Sequence, residues 1–114
     1  MIRRGEVYWT VPKGGRGREQ GGARPVTVIQ NDRGNETSDT TIVALMTSRV
    51  SARTYPMHVV VGPGETGLEG RSTILLEQIQ TVDISRLGRR TGMLLPRTMQ
   101  EVDSALHHSL GLVD

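Results

Sequence analysis

The chain has 114 residues, 14 basic and 12 acidic side chains and a formal net charge of +2, a size that suits one domain and leaves no room for two ordinary ones. No run approaches the ~20 apolar residues of a bilayer-spanning helix, and the opening Met1-Ile2-Arg3-Arg4-Gly5-Glu6 lacks the basic-then-apolar layout of a secretion signal. Cysteine is absent, which removes disulfides, thiol nucleophiles and thiolate metal sites and is consistent with a reducing, cytoplasmic setting.

Charge placement says more than the total. Residues 1–24 carry Arg3, Arg4, Lys13, Arg16, Arg18 and Arg24 against Glu6 and Glu19, a local excess that reads either as an electrostatic footprint for nucleic acid or as a solvated loop. All but one of the bases in the chain are arginine, whose planar fork suits phosphate. Aromatic residues stop at Tyr8, Trp9 and Tyr55, too few for a sheet that stacks successive bases on rings.

In chain order, β-branched and aromatic content predicts strands over 6–11 and 25–30. Between them Pro12 to Gly22 is a long glycine- and arginine-rich connection, either a plain hairpin loop or a flap over a polyanion. Asn31 to Asn35 has turn chemistry, and Thr41 to Met46 reads as a central buried strand ending at Thr47-Ser48. Further strands are expected at 57–61 and 72–76, separated by the turn-rich Gly62-Pro63-Gly64-Glu65, with one helical turn after Asp83 and a last short strand over 91–95. Pro96 opens an amphipathic helix with Met99, Val102, Leu106 and Leu110 on one stripe and Gly111 as its stop. This pattern describes a small, mostly antiparallel, partly closed barrel with helical additions.

Several chemistries drop out. There is no phosphate-binding Gly-x-x-x-x-Gly-Lys loop, no Gly-x-Ser-x-Gly elbow and no His-Glu-x-x-His helix. His107 and His108 read as solvated helix-end residues, and His58 as a solvent-facing or core-bonded strand histidine before it reads as a general base. Three histidines cannot complete a tetrahedral zinc site alone, and Glu19, Glu77 and Asp83 are too scattered to assert a metal pair, so no metal or other cofactor is expected. The sharper set is Glu19, Gln20 and Arg24 beside Thr47, Ser48 and Gln78, which would make one anion-friendly cleft if the strand ends carrying them converge. The competing reading pairs Arg24 with a nearby acid and leaves Thr47 and Ser48 merely finishing a strand.

Gly17-Arg18-Glu19-Gln20-Gly21-Gly22-Ala23-Arg24-Pro25-Val26 is similar to the Gly-x-Glu-Gln-x-Gly-x-Arg-Pro signature of the MazF/PemK toxin endoribonucleases. Arg4 to Trp9, Val28 to Asp32, Ile42 to Ser48, Leu75 to Asp83 and the tail from Val102 to Leu112 resemble further segments of that family, in its order and from end to end. The resemblance implies one domain over residues 1–114, an SH3-like β-barrel with a C-terminal helix. It implies a cytoplasmic homodimer that cleaves single-stranded RNA at a short sequence without a metal and is blocked by a MazE-like antitoxin. Arg24 and Thr47 match the family's catalytic arginine and threonine, and Glu19, Gln20, Ser48 and Gln78 match positions near the RNA groove. The stretch Val11 to Arg16 lacks the family's Asp, and Arg18 replaces a common serine, departures that bear on sequence preference.

The chemistry implied is attack of the 2′-hydroxyl on its own phosphorus, leaving a 2′,3′-cyclic phosphate and a 5′-hydroxyl. Arg24 suits charge stabilisation, and Thr47 suits orientation or proton relay but not independent base chemistry, which leaves the base open with Glu19 as a candidate. The alternative is a non-catalytic toxin of the same barrel that poisons DNA gyrase, although this tail lacks the aromatic ending of such relatives. A plain RNA-binding barrel without chemistry is a third reading.

Overall fold

The computed structural model describes residues 1–11 and 22–113. The expected glycine-rich flap, save Gly22, therefore lies outside the described residues, as do Glu19 and Gln20. Among the described residues, six strands form one antiparallel sheet: β1 (Glu6–Thr10), β2 (Pro25–Val28), β3 (Thr40–Thr47), β4 (His58–Val61), β5 (Ser72–Asp83) and β6 (Leu87–Met93), in the spatial order β4-β5-β3-β2-β1-β6. The two edge strands do not pair with each other, so the sheet curls without closing. Among the described residues no helix is long and apolar enough to cross a membrane.

The expected 72–76 strand is in fact twelve residues long. Its register with β3 shifts between Ala44, opposite Ile79, and Leu45, opposite Leu75. Residues 76–78 are the surplus, a bulge that bends β5 so that its first part also pairs with β4. The last strand likewise begins earlier than expected, at Leu87, after a 3₁₀ turn over Ile84–Arg86.

Both sheet faces bury apolar residues, which explains why β3 does not show strict alternation. One core gathers Val7, Ala44, Met46, Ile74 and Leu76 under the C-terminal helix, and a second gathers Ile2, Val26, Val28 and Val43 on the other face. Burying an aliphatic side chain of this size is worth about 1.5–3 kcal/mol, so the two clusters carry most of the drive to fold.

Among the described residues, three α-helices accompany the sheet. The Asn31 to Asn35 turn is the start of α1 (Asp32–Thr37), because Asn31 accepts from the Gly34 N–H at 2.8 Å and caps a continuing helix. Buried Asn35 ties it down, donating to the Gln30 carbonyl at 3.0 Å and accepting from the Thr41 hydroxyl at 2.7 Å. The Pro63 turn is a single-turn α2 (Pro63–Thr66), stopped by Gly67 at φ +72°. A Cβ at Gly67 would lie 1.9 Å from the Thr91 carbonyl oxygen, so both conformation and space demand glycine.

The C-terminal helix α3 (Pro96–Ser109) starts at the expected proline and buries Thr98, Val102 and Ala105. Its N-cap, Leu95, has no capping side chain of its own. Glu65 of α2 supplies one from outside, accepting from the Leu95 N–H at 2.8 Å and the Thr98 hydroxyl at 3.1 Å. Leu110, expected on the buried stripe, is exposed because the helix ends there: Gly111 takes φ +72° and the Leu112 N–H turns back to the His107 carbonyl.

Candidate functional site

The β1–β2 hydrogen bonding continues past Pro25 to Arg24. Thr10 donates its N–H to the Arg24 carbonyl at 2.8 Å and its Oγ1 accepts from the Arg24 N–H at 3.1 Å. Arg24 thereby prolongs β2 with its backbone fixed and its side chain exposed. On the other side β2 pairs Val26 with Leu45, Thr27 with Ala44 and Val28 with Val43. Two residues further along that register, Arg24 falls opposite Thr47, on the same face.

Thr47 in turn pairs with Thr73 of β5, and Thr73 with Val60 of β4. The Thr47 Oγ1 accepts from the Arg49 N–H at 3.1 Å, while buried Thr73 donates to the Arg49 carbonyl at 2.9 Å. The two hydroxyls hold the chain as it leaves β3. With one lone pair of Thr47 occupied, its own O–H remains a donor for an anion.

Two hollows lie along this face. One, of about 370 Å³, is lined by Arg24, Val26, Leu45, Gln80 and Arg86 among others. The second, of about 400 Å³, is lined by Thr47, Arg49, Arg53, His58 and Leu75 among others. Leu45 belongs to the first and Leu75 to the second, and the two are register partners, so the hollows adjoin. Among the described residues, four arginines thus border one continuous groove, with Glu101 of α3 an acid on the lining of the second hollow. Such a surface suits a polyanion.

His58, discounted in the sequence as an ordinary strand histidine, opens on this groove. Its Nε2 lies 3.0 Å from Oε2 of Glu77, and its ring meets Tyr55 edge-on with centroids 5.1 Å apart. No spacing rule pairs residues 58 and 77; only the antiparallel pairing of β4 with β5 brings them together.

Not all expected site residues gather here. Ser48, next in sequence to Thr47, points to the other face by strand alternation and lines a separate hollow of about 440 Å³ with Trp9, Pro25 and Met46. Gln78 is exposed within the β5 bulge, and it is Gln80, which the sequence reading passed over, that lines the Arg24 hollow. Among the described residues no three metal-ligating side chains cluster.

The model of PemK-like, MazF-like toxins of type II toxin–antitoxin systems matches residues 3–110, and the chain belongs to that family. Solved structures agree from end to end. A mycobacterial endoribonuclease in complex with its cognate antitoxin is 28% identical, covering 100% of this chain and 99% of that chain at a TM-score of 0.79. A second mycobacterial endoribonuclease is 26% identical, with 96% and 91% of the two chains covered and a TM-score of 0.76. MazF from Deinococcus radiodurans is 27% identical, covering 96% of each chain at a TM-score of 0.71.

Proposed function

We propose that this protein is a sequence-specific endoribonuclease toxin that cuts single-stranded RNA without a metal, works in the cytoplasm as a homodimer of single-domain chains, and is neutralised by a MazE-like antitoxin. The observation that carries the reading is the pair of adjoining, arginine-bordered hollows that Arg24 and Thr47 line, with the two residues set across from each other when the β2–β3 register is carried two residues on. Two structurally similar mycobacterial proteins are endoribonucleases, one of them solved with its cognate antitoxin.

In this reading the RNA backbone lies along the groove and supplies its own nucleophile. The 2′-hydroxyl attacks the adjacent phosphorus in line, the O2′–P bond forms as the P–O5′ bond breaks, and the products are a 2′,3′-cyclic phosphate and a 5′-hydroxyl. Arg24, always cationic, stabilises the charge that builds on the phosphorane oxygens, and the Thr47 hydroxyl orients the phosphate by donating to it. Gln78, Ser48, Glu19 and Gln20 are proposed as RNA-binding residues, Ser48 from the far side of the strand end. DNA would bind and not be cut, since it lacks the nucleophile. The gyrase-poisoning alternative gains no support from these observations.

The test is single-turnover cleavage of RNA by Arg24→Ala. The expected result is a loss of about two orders of magnitude or more, the scale of removing one preorganised donor, with RNA binding weakened much less. Cleavage at the wild-type rate would remove Arg24 from the site.

A further inference from the structure

The reaction needs a group that takes the proton from the 2′-hydroxyl, and neither Arg24 nor Thr47 can do so near neutrality. We infer that His58, oriented by Glu77, is the general base of this site. The inference rests on the endoribonuclease reading and assigns a role that reading leaves empty.

The placement follows from register. His58 pairs with Leu75, Leu75 with Leu45 and Leu45 with Val26, a row that crosses four strands. The neighbouring row on the same face runs Val60, Thr73, Thr47 and, by extension, Arg24. His58 and Thr47 therefore stand two strands apart and two residues out of line, about 12 Å at the backbone, with half-buried Leu75 as the floor between them. That gap suits a ribose and its phosphate, and both side chains line the same hollow. Arg24 reaches the groove from the opposite end.

The chemistry follows from the hydrogen bond. An ionised carboxylate only accepts, so the 3.0 Å contact to Glu77 puts the imidazole proton on Nε2 and leaves the lone pair on Nδ1. The ring is held by that bond and by the edge of Tyr55, with the side chain 22% exposed. Among the described residues that line this hollow, the imidazole alone is of a type that exchanges a proton near neutral pH. Among the described residues, the charged groups around it are Glu77 from β5, Glu101 from α3, and Arg49 and Arg53 from the connection between β3 and β4. A carboxylate behind the ring supports the imidazolium as it forms, the same division of labour as in other carboxylate–histidine pairs.

In the step, Nδ1 takes the 2′-hydroxyl proton, the O2′ electron pair forms the bond to phosphorus, and the P–O5′ pair leaves with the 5′-oxygen, which is protonated by water. The imidazolium then returns its proton to solvent. No electrons change hands and no co-reactant beyond water is required. Glu77 is a positioning residue here, since it touches the histidine and not the reacting atoms.

The experiment is the pH dependence of single-turnover cleavage, on an RNA that the wild type cuts, for wild type, His58→Gln, Glu77→Gln and Arg24→Ala, with RNA affinity measured alongside. The wild type should show an acid limb of unit slope that breaks to a plateau, the mark of a single base that must be unprotonated to act. His58→Gln should lose about 10²–10⁴-fold at neutral pH and lose the break in the profile, with affinity held within a few-fold. Glu77→Gln should keep the acid limb, which His58→Gln loses, and slow cleavage with RNA affinity held within a few-fold, because the ring stays a base but is no longer oriented. If His58→Gln cleaves at the wild-type rate with the same acid limb while Arg24→Ala is inactive, the assignment of the base is wrong and the endoribonuclease reading stands. If the wild type cuts no RNA, both fall.

Discussion

Thr47 shows how much one hydroxyl is asked to do. It closes β3 by accepting from the Arg49 N–H, and in the proposed site it donates to the phosphate. Thr47→Val preserves the shape and removes both bonds. Because the residue is only half-buried, the fold should lose about 1 kcal/mol or less, whereas single-turnover cleavage should slow at least tenfold, read against thermal unfolding of the same variant. Unchanged cleavage would return Thr47 to the role of strand end. At this scale the sequence was uneven as a guide. Arg24 and Thr47 were visible as a pair because the segments carrying them resemble a family signature and a strand end. His58 and Glu77 were not, since they meet only through pairing between β4 and β5. Ser48 lines a different hollow from Thr47 because neighbours in a strand alternate between faces.

Among the elements, the short helix α2 matters more than its length suggests. The turn composition of Gly62 to Glu65 gave no hint that Glu65 reaches across to the N-terminus of α3, more than thirty residues on, where it accepts from Leu95 and Thr98. The contact substitutes for a missing local cap and favours the positive end of the helix dipole. Glu65→Ala should lower stability by about 1 kcal/mol and loosen α3, measured by chemical denaturation and by amide exchange of the first helical turn. Equal exchange in both proteins would show that α3 holds its start by packing alone. The six strands and the last helix were legible from alternation and from Pro96 and Gly111. The bulge in β5 was not, because a run such as Ile74 to Glu77 carries no local mark of a register shift that depends on what β3 presents opposite it.

For the whole molecule, charge and burial set the pH range of the fold. Tyr8 sits half-buried with its hydroxyl donating to Glu6 at 2.9 Å. Burial first, and then the hydrogen bond to Glu6 and that group's negative charge, push its phenol from 10.0 up to about 12. The folded state therefore favours the neutral ring, and this stability is whole below about pH 10, then fades as pH climbs through about 12. Asp32 works in the opposite sense. The Arg4 N–H at 2.7 Å leads the interactions that hold its carboxyl below the ordinary value, so its contribution is present above that value and is lost as acid protonates it. Tyr8→Phe should flatten the fall in melting temperature above pH 10 and leave the acid side unchanged; an alkaline limb as steep as the wild type's would show that other groups control it.

The claim that organises the rest is that the arginine-bordered groove cuts RNA. Its most direct test is to incubate the purified protein with a long single-stranded RNA in EDTA, beside Arg24→Ala, and to map the fragment ends and determine their chemistry. The account predicts discrete cuts at a short recurring sequence, 5′-hydroxyl and 2′,3′-cyclic phosphate ends, and no cuts with the variant. Intact RNA after exposure to folded wild-type protein, or cuts with 5′-phosphate ends, would contradict it.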